Sequence, residues 1–255
     1  MLDGQGLAVS VGNNTAVSAY NKAVTEWLDY KISSMRTLKQ AIELEPDFCI
    51  AHCFRGYLFV TFNSAAVLPA AVASLTKARA LAGTASEREQ RHVAALRYLL
   101  EGAPHRACAC WDEITADYPH DILALRMHHY TCFWSGYRQQ LSALPAAVLP
   151  AWDDTVPHYG NLLGMVAFGL EELGLYDMAE RYGRDAADQN PDDLWAVHAV
   201  AHVMEMQQRA AEGIKWLDYS LDHFRDFNPF RGHLWWHKGL FFIEAGSLDA
   251  ALSLY

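Results

Sequence analysis

The stretch Asn161-LLGMVAFGLEELGLYDMAERYGRDAADQN-Pro191 decides the fold. Apolar residues recur at helical spacing through Glu172, pause at Leu173-Gly174-Leu175 and resume from Tyr176 to Gln189, which predicts two helices joined by a tight turn. Gly174 supplies that turn, and Ala167, Ala179 and Ala186 let the facing helices approach closely. Working outward, Pro119, Pro157, Pro191 and Pro229 stand 38, 34 and 38 residues apart, and each precedes a helix-like stretch opening with apolar and aromatic residues. A period in the thirties marks a helical-repeat solenoid, in which each unit buries its apolar face against its neighbours.

Small residues at these offsets, an aromatic after the turn glycine and a closing proline form the tetratricopeptide repeat (TPR) pattern. Neighbouring stretches fall on the same register: Glu89 to Pro119 with Ala95, Gly102 and Ala107; His120 to Pro157 with Gly136; and His233 to Tyr255 with Gly239, Gly246 and Ala251. Upstream, Ala41 and Pro46 end one unit and Gly56 marks the next, while Ser86 with Glu89 forms a capping box after the break at Gly83. The expected fold is all-α: a TPR-like α-solenoid of antiparallel helix hairpins in a right-handed superhelix, one domain over residues 1–255. About 144–157, rich in proline, is expected to be an irregular excursion. The short stretch from Leu248 to Tyr255 reads as an incomplete array, calling for further C-terminal repeats or for a second copy of the chain, as a homo-oligomer, to cover the end.

Composition bounds the function. Hydrophobic residues make up 52% and charged ones 20%, enough for a substantial core and against bulk disorder. A net charge of −10 argues against nucleic acid or an anionic membrane as partner, since no basic patch interrupts it. Five cysteines without a CxxC pair, and no secretory leader, read as reduced thiols in a cytoplasmic setting. No apolar run reaches the roughly 18 residues needed to span a bilayer.

The chemistry concentrates on one helix. Between Leu194 and Gln207, a wheel at about 100° per residue places Trp195, His198, His202 and Glu205 within an arc of about 80°. Ala196, Val197, Val200, Val203 and Met204 centre on the other side, so the helix is expected to pack by one face and present Trp, His, His and Glu from the other. Register places Glu89 with His92, and His233 with Trp236 and the adjacent His237, level with this set on neighbouring first helices. Arg126, Tyr130, Asn161, Phe168 and Glu171 align on the intervening units. First helices of TPR arrays line the concave surface, where ligands bind.

Three readings of that face stay open. The leading one is binding of a small molecule or peptide segment in a pocket lined by Glu89, His92, Arg126, Tyr130, Trp195, His198, His202, Glu205, His233 and Trp236. The alternative is a metal-dependent or His/Glu acid–base enzyme on the same residues. Histidines four apart can hold one divalent transition metal (Zn, Fe or Mn) through two imidazoles, with a third ligand from His233 or His92 and Glu205 orienting or accepting a proton. HxxxHxxE is a weaker signal than HExxH. The third reading is a purely structural interaction scaffold. Cys108 and Cys110, two apart on a helix and therefore divergent, read as packing residues, and one imidazole of His128-His129 reads as a satisfied core residue.

The segments Asn190-Pro-Asp-Asp-Leu-Trp-Ala-Val-His198-Ala-Val-Ala-His202-Val-Met-Glu205-Met, Arg88-Glu-Gln-Arg-His92-Val, Asp121-Ile-Leu-Ala-Leu-Arg126 and His233-Leu-Trp-Trp-His237 resemble the tetratricopeptide repeat protein 38 family, from about Gly6 to the last residue. The resemblance implies a TPR-type protein and carries no catalytic assignment. It implies family positions at Glu89, His92, His129, Trp195, His198, His202, Glu205, Trp236 and His237, and a chain continuing beyond the position of Tyr255.

Overall fold

The computed structural model describes residues 1–222 and 228–254, and the described residues form fourteen α-helices with no β-strand. Two compact units emerge: residues 1–26 with 33–157, and residues 27–32 with 158–255. The first unit contains α1 (Asn14–Leu28) as far as Glu26, α2 (Ser34–Leu44), α3 (Cys49–Thr61), α4 (Leu68–Leu81), α5 (Glu87–Leu100), α6 (Pro104–Asp117), α7 (Ile122–Ser135) and α8 (Arg138–Val148), followed by a 3-10 turn at Leu149–Ala151. The second contains α9 (Tyr159–Glu172), α10 (Tyr176–Gln189), α11 (Leu194–Met206), α12 (Ala210–Asp222), α13 (Phe230–Glu244) and α14 (Leu248–Leu252).

Consecutive helices pair as hairpins, and first helices also lie beside one another: α3 beside α5, and α9, α11 and α13 in succession. This is the packing of a helical-repeat array. The expected turn between α9 and α10 is present, with Gly174 in the left-handed region at φ +77°, where a side chain is strained. Ala167, Ala179 and Ala186 are fully buried at the helix contacts. Gly183 marks the tightest approach, because a Cβ there would lie 2.5 Å from Val200 Cγ2 on α11.

Helix ends follow local chemistry. Ser86 and Glu89 form the expected capping box at the start of α5. Asp121 caps α7 through Ala124 N, and Asp193 caps α11 through Trp195 N and Ala196 N. The irregular segment is shorter than expected. Helix α8 continues through Pro145 to Val148, with Leu149 N donating to the Pro145 carbonyl and the proline ring buried. A proline this near a helix end costs one backbone hydrogen bond without ending the helix, and packing compensates. The core of the first unit is built on Phe48, Phe54, Tyr57, Leu96, Trp111 and Ile114, all fully buried. That of the second is built on Leu194, Val197, Val200, Met204, Leu217, Leu234 and Phe241.

Candidate functional site

In the second unit, α11 and α13 each carry two histidines one turn apart, His198 with His202 and His233 with His237. Residues four apart share a helix face, and the two helices are neighbours, so all four rings meet. One ligand atom from each lies within 4.8 Å of every other. His233 Nε2 stands 2.9 Å from His198 Nε2 and 3.1 Å from His237 Nε2.

Carboxylates lie beside two of the rings, and one of them orients its ring by a hydrogen bond. His237 Nδ1 donates to Glu205 Oε2 at 2.9 Å, which turns Nε2 inward, and His202 Nδ1 faces Glu171 Oε2 at 3.5 Å. Aromatic rings wall the cluster: Phe168 lies parallel to His198 with centroids 5.5 Å apart, and Trp236 lies parallel to His233 at 5.6 Å. Trp195 packs on Phe168 at 4.4 Å.

The electrostatics favour neutral rings. Burial, with repulsion from His237 and His202, pulls His233 down to about 4. Burial also lowers His237, although the hydrogen bond to Glu205 opposes it. The hydrogen bond from His237 in turn holds Glu205 below the usual carboxylate range. These two imidazoles therefore offer lone pairs at neutral pH. With the His237 proton on Nδ1, its Nε2 is a bare acceptor, and the single Nε2 proton available to His233 cannot fully satisfy contacts on both sides. A cation among these nitrogens would resolve that conflict, and four imidazoles form a donor set that could hold a transition metal.

Of the sequence-predicted ligands, His198, His202 and His233 come together, joined by Glu205 and by His237, a fourth imidazole beyond the predicted ligand set. The repeated His-x-x-x-His spacing was the signal for it. The face is less open than expected: Trp195 and His198 are buried together with the apolar side of α11, because α9 and α13 flank the helix. His202 and Glu205 are half-buried, while His233 and Trp236 are exposed, so among the described residues the cluster is most open on the His233 side.

The candidates in the first unit do not line an open surface. Glu89 and His92 have no exposed area. Glu89 accepts from Ser86 N and Ser86 Oγ in the capping box and from Ser10 Oγ. His92 Nε2 contacts Asp121 Oδ2 at 3.0 Å, its Nδ1 lies 3.1 Å from Tyr57 Oη, and Arg88 Nη1 joins the same Asp121 oxygen at 2.7 Å. His92 is thus engaged at both nitrogens and supplies no third ligand. Arg126 is buried on α7, and half-buried Tyr130 donates to the Thr61 carbonyl at 2.9 Å. These groups position helix starts and hairpins, and sequence register alone carries no information on that burial.

No protein-family model matches the chain. Its structure is similar to the crystal structure of a tetratricopeptide repeat protein from Parabacteroides merdae ATCC 43184, with a TM-score of 0.54 and 16% identity over 95% of this chain and 91% of that chain. The class is therefore a TPR-like helical-repeat fold. No described helix is long and apolar enough to cross a membrane.

Proposed function

We propose that this chain is a metal-binding helical-repeat protein, in which His198, His202, His233 and His237 hold one divalent transition metal. The observation that carries this reading is the meeting of His198, His233 and His237 through Nε2 atoms 2.9 and 3.1 Å apart, with His237 oriented by Glu205. A carboxylate on the outer nitrogen is the usual support of a metal-bound imidazole. Zinc suits nitrogen donors at these separations, and iron or manganese are the other ions compared. The exposed side, at His233 and Trp236, is where a donor group of a small molecule or peptide reaches the metal and stacks on the indole. The resemblance to the tetratricopeptide repeat protein 38 family belongs to the same proposal, since its most specific segment, Trp195 to Glu205, carries half of the site.

Zinc titration of the full chain tests it. The parent is expected to bind one equivalent more than the His198→Ala, His233→Ala double variant, with unchanged far-ultraviolet circular dichroism. Equal stoichiometry and affinity in the two proteins reject the proposal.

A further inference from the structure

The first unit holds a second group of metal-ligating side chains, unrelated to the four histidines. Helix α6 carries Cys108 and Asp112 one turn apart, and α7 carries His128 and Cys132 one turn apart. The two helices pack together, so each presents one such pair to the other. Cys108 Sγ lies 3.8 Å from Cys132 Sγ, and Cys132 Sγ lies 3.7 Å from His128 Nδ1 and 3.6 Å from its Nε2. His128 Nε2 in turn faces Asp112 Oδ1 at 3.3 Å.

We infer that Cys108, Cys132 and His128 form a metal site for a thiophilic ion of the zinc class, with Asp112 orienting the imidazole. Tetrahedral zinc with bonds of about 2.3 Å to sulfur and about 2.0 Å to nitrogen sets two sulfurs about 3.8 Å apart and sulfur from nitrogen about 3.5 Å apart. The sulfur–sulfur separation matches that shape, while Cys132 Sγ stands almost equally far from the two ring nitrogens, so the imidazole must turn about its Cβ–Cγ bond to aim Nδ1 at the ion. His128 ligates through Nδ1, leaving Nε2–H for the Asp112 carboxylate, the arrangement that fixes a metal-bound imidazole from outside. Two thiolates and an imidazole are a softer donor set than four imidazoles and select zinc over iron or manganese. Cys108, His128 and Cys132 are buried, whereas the Asp112 side chain is 55% exposed, so an ion enters from the Asp112 side and a water or the carboxylate can complete the coordination. Cys49 and Cys53, also one turn apart, lack this surrounding: Cys49 donates to the Ala78 carbonyl.

Titrating the reduced full chain with cobalt(II) alone tests the inference, because thiolate ligation produces a near-ultraviolet sulfur-to-cobalt charge-transfer band that an all-imidazole site cannot. The band is expected in the parent, in Cys110→Ser and in the His198→Ala, His233→Ala double variant, which separates this site from the four-histidine one. Cys108→Ser and Cys132→Ser are expected to lose most of it, and Asp112→Asn to weaken cobalt binding by about 10- to 100-fold. Should either serine variant fail to fold, the alanine variant at the same position, which places no hydroxyl in the buried site, takes its place with the same expectation. No band in the folded parent, or a band untouched by substitution of both cysteines, overturns the site.

Discussion

His237 gives one ring nitrogen to Glu205 at 2.9 Å and turns the other toward His233 at 3.1 Å. The carboxylate thus fixes both the tautomer and the aim of the ring. Replacing Glu205 by Gln keeps the shape but removes the charge that favours Nδ1–H, and the amide can present a donor where an acceptor is needed. The Glu205→Gln variant is expected to bind zinc about 10- to 100-fold more weakly than the parent at unchanged helicity, measured by competition with a chromophoric chelator. Unaltered affinity would mean that the pair serves packing alone.

Asp193 joins two first helices. Its Oδ1 caps α11 through Trp195 N and Ala196 N, and its Oδ2 accepts from Asn161 Nδ2 on α9 at 3.1 Å. Asp193→Ala loses the cap and leaves the buried Asn161 amide short of its acceptor, so a destabilisation of about 2–3 kcal/mol is expected from denaturant midpoints at constant m-value. Asp193→Asn keeps a capping oxygen and is expected to lose less. Equal losses in both variants would assign the effect to charge instead of to the cap.

The repeat was legible because its signals are local: Gly174 must adopt positive φ, Ser86 and Glu89 close a capping box, and alanines stand wherever helices touch. The pairing of His198 with His202 was legible for the same reason, as spacing on one helix determines which residues share a face. What lies around that face is a tertiary property. Glu89 and His92 occupy the same register as the site residues yet point into a sealed network with Ser10, Tyr57, Arg88 and Asp121. Cys108 and Cys110, close in sequence, diverge on α6, whereas Cys132, far in sequence, meets Cys108 from the next helix at 3.8 Å. Pro145 illustrates the reverse error, where a strong local breaker is overridden by packing of the helix that contains it.

Gly183 tests the close packing of α10 on α11. In an exposed helix, Gly→Ala stabilises by about 1 kcal/mol. Here the added methyl would meet Val200 Cγ2 at 2.5 Å, and Val200 is itself fully buried. Gly183→Ala is therefore expected to destabilise by about 1–3 kcal/mol. Val200→Ala opens space for the methyl, so the double variant is expected to be more stable than the sum of the single changes implies, read as a coupling energy from a double-mutant cycle. Additivity would show that the two helices separate freely.

The pH dependence of stability should run in one direction on the acid side. Burial raises the Asp121 carboxyl, but the charges of His92 and Arg88 and their hydrogen bonds outweigh it and hold the group well below the usual carboxylate range. Its stabilisation is present above the unfolded value of about 3.9 and is lost as pH falls through the lower folded value. His52 acts with the same sign for another reason: burial lowers it below the ordinary 6.5, against the hydrogen bond to the Pro46 carbonyl. The unfolded chain takes up that proton first, so stability falls as pH drops from 6.5 toward the folded value and levels off beyond it. Thermal melts of the full chain, with chelator present to keep metal out, are expected to show a melting temperature falling from pH 7 through pH 4 and on to about pH 2, with the buried His233 and His237 adding to His52 in the upper part. His52→Gln is expected to flatten the upper part of that slope and leave the part below pH 4 unchanged, because Asp121 governs the latter. A slope identical in parent and variant would place the upper titration on another group.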